Sequence, residues 1–431
     1  MTGRRGPSRF FPLALLAALA ALAYVPLFSI PLLEDDYPNL WQSLQWGSPA
    51  QAVALLHNPI FRLRATSFWA MFLLWQVGKL APLAYHLASL LLHIANTCLL
   101  YGVCLAWPRM RAAAFWAAAF FAIAEGHQEA VMWFSAINEL LLFLFGMGAL
   151  LCWLKLAGRG HSRGWGLEAA GVGLFALALL SKESAVVMLP LFLLAGGRGD
   201  WRRTAARLAP FLLLAAAAVA SVAATRGYSF RFSDGSFSLH APFWITWPRN
   251  CFRVLSIWGL VAAAAVFAAR DRDLRRSALA AFAWIGIGLA PYSFLTYSTQ
   301  IPSRQTYLAS AGLALLFGLA IASWRARWPA RPQVVAVVAA LVLVQNMGYL
   351  WTRKRSQFLE RAAPTEQLIA LARRTPGPIW VRAFPRNSFI AEGAVHLAAG
   401  YAPSNLVWTE EEALRRHATA VFSYREKGAE K

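Results

Sequence analysis

Apolar residues arrive along this chain in long unbroken blocks, not in the alternation of a strand or the narrow stripe of a surface helix. A membrane-crossing helix needs about 20 mostly apolar residues. Blocks of that kind, some shorter, run over Phe11–Ile30, Leu83–Ala106, Ala112–Ala124, Val131–Leu154, Trp165–Leu180 and Ala185–Ala195, then over Ala206–Thr225, Trp247–Ala268, Ala278–Leu295, Tyr307–Ser323 and Val334–Leu350. The first block ends in Phe28-Ser29-Ile30 and not in small residues, so it reads as an uncleaved anchor and not a secretory signal. Ser67–Leu80 is apolar too, but counting it as a crossing would invert every later loop. It is expected at the outer interface, amphipathic or re-entrant. From Thr352 the apolar blocks stop: Pro364–Arg374 reads as a helix, Thr375–Pro378 as a turn, and Ile379–Phe384, Leu406–Trp408 and Ala418–Tyr424 as short strands. No 20–50-residue period repeats. The expected fold is an all-α polytopic membrane domain of eleven transmembrane helices at 1–351, followed by a small C-terminal α/β extracytoplasmic domain at 352–431.

Composition agrees with that pattern. Hydrophobic residues make up 58% and charged residues 14% of the 431, against roughly 25% charged in an ordinary globular domain. Disorder, a disulfide scaffold and an average soluble enzyme are excluded. Cys98, Cys104, Cys152 and Cys251 form no CxxC pair and read as small core residues. A net charge of +21 would suggest nucleic acid in a soluble chain, but the cations alternate with the loops. With the N-terminus inside, Arg4, Arg5 and Arg9 and the loops around Arg109, Lys155, Arg202, Arg272 and Arg327 hold 19 cations. The outer loops hold seven: Arg62, Arg64, Lys79, Lys182, Arg226, Arg231 and Arg304. This is the positive-inside pattern. Membrane lipid is the expected surroundings, nucleic acid is not a partner, and the C-terminus lies outside. The absence of Asn-x-Ser/Thr fits a bacterial plasma membrane.

Polar residues gather in the outer loops. The first opens with Glu34-Asp35-Asp36; others carry Glu125, His127 and Glu129, then Lys182-Glu183, then Arg304. Because Ala112–Ala124 and Ala185–Ala195 are short, Glu125, His127, Glu129, Lys182 and Glu183 are expected to line a recessed wet cavity; the plainer alternative is loop polarity at the interface. Three adjacent carboxylates repel, which raises at least one pKa unless a cation or metal neutralises them. That suits a base acting near neutral pH; a charged stop after the anchor is the plain alternative. His86 and His93 are seven residues apart, about 10 Å along a helix, too far for one metal. Each is expected to bond to a neighbouring helix, with Asn96 one turn beyond His93.

Several segments together resemble the multi-spanning GT-C glycosyltransferases, above all the protein O-mannosyltransferases and the tetratricopeptide-containing transmembrane O-mannosyltransferases. They are LEDDYPNL at Leu33–Leu40, FRLRATSF at Phe61–Phe68, YHLASLLLHIAN at Tyr85–Asn96, EGHQEAVMWFSAINELL at Glu125–Leu141, SKESAVVMLP at Ser181–Pro190 and SRQTYLASAG at Ser303–Gly312. Leu63 stands where that family usually has Pro, and Asn138 where an Arg often precedes the acidic residue; the small tail replaces the repeat array. The resemblance implies transfer of a sugar from a polyprenyl-phosphate-linked donor to a protein, lipid or glycan acceptor hydroxyl at the extracytoplasmic face, with inversion. It implies Lys182, Arg304 and Arg62 on the donor phosphate and Asp35 as base. Asp36 would orient the acceptor or hold a divalent cation, with Glu34 the fallback for either role. Glu125, His127, Glu129, Glu183, Tyr307 and His93 would line the cavity. No cofactor is fixed by the sequence, and the divalent cation at Asp36 stays open. A polysaccharide polymerase or ligase would differ in acceptor; a lipid-linked-sugar flippase would want an inverted repeat, which is not visible.

The alternation of cations makes a direct expectation. Reporter fusions at Gly235 and Ala399 should report the extracytoplasmic side, and fusions at Gly160 and Asp273 the cytoplasmic side. Ala399 and Gly160 reporting one side would overturn the eleven-span order.

Overall fold

The computed structural model describes residues 10–158, 164–196, 201–225, 237–296 and 299–424. Gly160 and Gly235, with several of the loop arginines, lie outside the described residues. In chain order the helices are α1 (Phe11–Ala23), α2 (Asp36–Ser43), α3 (Pro49–Leu55), α4 (Ala65–Gly78), α5 (Pro82–Ala106), α6 (Ala114–Ile123), α7 (Gln128–Met132), α8 (Ile137–Gly158) and α9 (Trp165–Ser181). There follow α10 (Met188–Gly196), α11 (Trp201–Ala224), α12 (Phe243–Ala268), α13 (Arg272–Leu289), α14 (Tyr307–Arg327), α15 (Pro332–Tyr349) and α16 (Arg355–Ala372). The chain then forms β1 (Ile379–Ala383), α17 (Ser388–Ala399), β2 (Leu406–Val407), α18 (Glu410–Arg415) and β3 (Ala420–Ser423).

Among the described residues, seven helical runs are long and apolar enough to cross a membrane: Pro82–Ala106, Phe134–Gly158, Trp201–Ala224, Phe243–Ala268, Arg272–Phe294, Ser303–Arg327 and Pro332–Ala372. Such a chain is an integral membrane protein. The other four expected spans form shorter helices. α6 has 10 residues, about 15 Å at 1.5 Å per residue, half the hydrocarbon thickness. The expected span Phe11–Ile30 stops being α-helical at Tyr24 and continues as a 3-10 turn over Val25–Ser29, where Pro26 removes a backbone donor. Ser67–Leu80 is helical, as α4, with its first turn buried and its end exposed.

At the centre stands α14. Every residue from Tyr307 to Ile321 is buried, as expected of a helix apolar on all sides. Small residues permit the crowding: a side chain at Gly312 would meet the Ala281 carbonyl at 2.6 Å, and one at Gly318 the Ala113 carbonyl at 2.8 Å. Arginines finish the helices at one end of the bundle. Arg111 donates to the Leu105 carbonyl, Arg275 to Phe267 and Arg327 to Ala269, the favourable sign for helix C-termini.

The expected boundary at 352 falls inside an unbroken helical run. α15 passes through a π turn at Leu350–Lys354 straight into α16, and Pro364 sits within the latter. The wide turn rephases the helix. The three strands form a parallel sheet in the order β2-β1-β3. Parallel neighbours need crossover connections, which is why α17 and α18, absent from the sequence reading, fill the intervals. Asn387 and Thr409 cap them, accepting from the backbone N–H of Ile390 and Glu412.

This C-terminal unit packs on the first polar loop. Trp41 and His396 rings lie 4.5 Å apart, and the Tyr37 hydroxyl donates to Glu366 at 2.9 Å. A side chain at Gly393 would meet the Pro38 backbone at 2.9 Å. Gly393→Val should therefore push α17 off α2 and lower the melting temperature, with overpacking of this sort worth about 1–3 kcal/mol. Gly348 has open space beside it, so Gly348→Ala should be neutral or slightly stabilising. Equal melting points for the two variants would show that the close approach is not formed.

Candidate active site

Leu33–Asp36 is a tight turn, closed by Asp36 N–H to the Leu33 carbonyl at 3.0 Å and by Leu33 N–H to Asp36 Oδ2 at 3.0 Å. Glu34 takes φ +49°, a left-handed backbone that costs a non-glycine residue on the order of 1–3 kcal/mol. Two arginines hold it there. Arg361 donates through Nε at 3.1 Å and a terminal nitrogen at 2.5 Å, one to each oxygen, and Arg386 Nε donates at 2.8 Å. Burial acts to raise the Glu34 carboxyl, but the bonds and charge of Arg361 and then Arg386 outweigh it and hold the group below its ordinary value.

The next two carboxyls differ. Asp36 is fully buried. Its Oδ1 accepts the Ser135 N–H and hydroxyl, both at 2.7 Å, and burial still pushes it up to about 7. Both its oxygens are thus held by donors from the protein. Asp36, expected to orient an acceptor or hold a divalent cation, braces the turn against the α7–α8 connection. Asp35 alone of the three is partly exposed, and its carboxylate has no hydrogen bond or ion pair among the described residues. Burial, then the charge of Glu34, raise it; Arg304, Arg361 and Arg386 oppose them.

Opposite this turn lies a ring of cations. Glu129 accepts the Arg304 N–H at 3.2 Å, while its ion contacts to the guanidinium groups of Arg304 and Arg361 are loose, 3.7 and 3.6 Å. The Trp133 ring carries Arg304 at 4.7 Å and Arg361 at 4.8 Å. Glu125, half-buried, has its carboxyl raised by burial against the opposing charges of Lys354 and Arg253. Arg253 is aimed by the Ile301 carbonyl at 2.5 Å and by Asn250 at 3.2 Å. Asn346 fixes the Glu125 N–H at 2.8 Å. The first loop, the α6–α8 connection, the turn before α14, and α16 therefore converge on one half-buried, charge-balanced surface. Chemically it offers two carboxylates without a hydrogen bond or ion pair among the described residues, Asp35 and Glu125, and of these Asp35 lies in the field of Arg304, Arg361 and Arg386.

Of the residues expected to line a cavity, Glu125 and Glu129 are here, together with Arg304, which was expected on the donor phosphate. His93, His127 and Tyr307 are not; all three are fully enclosed between helices. His93 bonds the Tyr307 hydroxyl at 2.8 Å and the Ala122 carbonyl at 3.0 Å, and His127 bonds Ser310 at 2.6 Å. They fasten the 122–127 loop to α5 and α14. His86 bonds the Ile30 carbonyl at 2.7 Å, the helix-to-neighbour role expected of it. Lys182 is one of the cations expected on the donor phosphate. It is buried in an ion pair with Glu139, with the Tyr292 ring 4.7 Å from its ammonium, so its charge is already neutralised. Glu183 pairs with Arg64 at 2.7 Å. Arg62 is half-buried in the same short turn, its Nε without a hydrogen-bond partner. The sequence reading missed Arg361, Arg386, Arg253 and Lys354. No motif marks them; they become visible only as the cations facing Glu34 and Glu125.

No family model matches the chain. Among curated proteins, the Protein O-mannosyl-transferase TMTC3 of Mus musculus is 29% identical over 151 residues, and that of Homo sapiens 28% over 151; each match takes in 35% of this chain and 16% of the relative. The chain thus spans only about a sixth of those relatives. Among solved structures, ArnT from Cupriavidus metallidurans bound to undecaprenyl phosphate superposes with TM-score 0.55 at 13% identity, covering 96% of this chain and 90% of that one. The archaeal oligosaccharyltransferase AglB from Archaeoglobus fulgidus, in complex with an inhibitory peptide and a dolichol-phosphate, gives 0.53 at 11%, covering 91% and 63%. The resemblance read from the motifs is thereby borne out, and the fold is that of these polytopic membrane enzymes.

The buried Lys182–Glu139 pair makes a separable prediction. Lys182→Met leaves Glu139 enclosed without its cation, and breaking such a pair costs about 3–5 kcal/mol. The melting temperature in detergent should fall, and Lys182→Met with Glu139→Gln should recover much of it. An unchanged melting point for the single variant would show that the pair is not structural.

Proposed function

We propose that this protein is a membrane glycosyltransferase that moves a sugar from a polyprenyl-phosphate carrier to an acceptor hydroxyl at the extracytoplasmic face. The single observation that carries the reading is Asp35: a partly exposed carboxylate, raised by burial and then by the charge of Glu34, without a hydrogen bond or ion pair among the described residues, and in the field of Arg304 and Arg361. Asp35 takes the proton of the acceptor hydroxyl, whose oxygen attacks the anomeric carbon. The bond from that carbon to the phosphate oxygen breaks, and polyprenyl phosphate leaves. A single displacement of this kind inverts the anomeric centre. Phosphate needs neutralised charge more than an acid. Arg304 is the cation best suited to supply it: its guanidinium meets Glu129 only at 3.7 Å, and its side chain is 29% exposed. Arg253 and Lys354 add positive field.

In this reading the eleven apolar segments built on α1, α5, α6 and α8–α15 cross the bilayer, the short helices α1, α6 and α10 together with the 3-10 turns that adjoin them. The N-terminus is cytoplasmic, and the unit built on α16 and the sheet lies outside. The acidic site and the arginine-finished helix ends lie at opposite ends of the bundle, which supports that orientation. The lipid phosphates held by ArnT and AglB support the carrier class.

The test is turnover of a polyprenyl-phosphate-linked hexose by purified protein. Asp35→Asn should lower it by about 10²–10⁴-fold. A base works deprotonated, so activity should rise with pH through the raised Asp35 value, above the ordinary carboxylate value of 3.8. Glu34→Gln removes the like charge that raises Asp35 and releases two arginines, and both changes favour ionised Asp35. The acid limb should therefore move to lower pH. Full activity in Asp35→Asn, or a limb that moves upward in Glu34→Gln, would place the base elsewhere.

A further inference from the structure

The C-terminal sheet carries a second feature. β1 is central; the chain leaves it through α17 to β2 on one edge, then through α18 to β3 on the other. Strand order thus reverses at the carboxyl end of β1, the place where open α/β sheets receive ligands. An open cleft of about 470 Å³ lies there. One aromatic from the end of each strand walls it: Phe384 after β1, Trp408 after β2 and Tyr424 after β3. Two cations line it, Arg382 and Arg386, and none of its lining residues is acidic. Arg386 belongs to both sites, since its Nε holds Glu34, the residue before Asp35. Arg382 is exposed and makes no hydrogen bond or ion pair among the described residues.

We propose that this cleft seats an anionic sugar unit of the acceptor. The C–H face of a sugar ring packs on aromatic side chains, and its carboxylate or phosphate meets Arg382 in a charge-assisted bond. The charge decides for an acidic saccharide over a neutral one. Through Arg386, the occupied cleft adjoins the turn that carries the base. The proposal rests on the transferase reading and names the acceptor class for it.

Equilibrium binding of a labelled hexuronic acid trisaccharide to the full chain in detergent, with no donor present, tests it. Saturable binding is expected, weakened about tenfold in Arg382→Gln and in Trp408→Ala, and about tenfold weaker for the neutral hexose trisaccharide. Arg382 is exposed, so its variant should keep the parental melting point, which is measured alongside. Absence of saturable binding, equal affinity for the neutral sugar, or unchanged affinity in Arg382→Gln would overturn the proposal. So would a glutamate-rich peptide that binds as tightly with the same Arg382 dependence. Because no turnover is read, a failure here leaves the Asp35 chemistry standing, and a failure of Asp35→Asn leaves this binding result standing.

Discussion

The clamp of Arg361 and Arg386 on Glu34 is the interaction on which the rest of the site depends. A carboxylate 8% exposed cannot stay ionised without cations. Its backbone is also left-handed, so the turn needs an external hold. Both arginines come from more than 300 residues away. They tie the first polar loop to α16 and to the loop after β1, and so join the C-terminal unit to the bundle. The close contact of Gly393 with Pro38 lies in the same join.

The same compensation explains how three consecutive carboxylates acquire three roles. Glu34 spends its charge on the clamp. Asp36 spends its oxygens on Leu33 and Ser135, deep enough that burial dominates. Asp35 is left with neighbouring fields but no bond. Cations divide in the same way. Lys182 is consumed by Glu139 inside the bundle, whereas Arg304 rests on the Trp133 ring and is only loosely paired. A site made of balanced but unequally committed charges can admit an anion without first exposing a buried unpaired ion.

Part of this site was legible in one dimension. The run Glu34-Asp35-Asp36 announced paired carboxylates, and Glu125, Glu129 and Arg304 stood out as charges between apolar blocks. Lys182 drew the same inference by the same logic, yet it pairs with Glu139, which lies 43 residues earlier at the start of a helix. Arg361 and Arg386 were passed over for the opposite reason: in a charged tail, a functional arginine looks like any solvated one. His93 and Tyr307 looked like cavity residues, yet they close on each other within the bundle.

The sequence by itself determined where the long apolar helices form and that they build a polytopic membrane fold. Burial of apolar surface is set by runs of neighbouring residues, and a window of about 20 can read it. It also determined the three short strands, through local composition. Tertiary structure decided which charges meet, that α15 and α16 are one rod through a π turn, and that the sheet docks on α2. Those outcomes depend on pairs hundreds of residues apart, where a difference of a few ångströms separates a neutralised ion from a free one. Coulomb energy falls with distance in space and takes no account of distance along the chain.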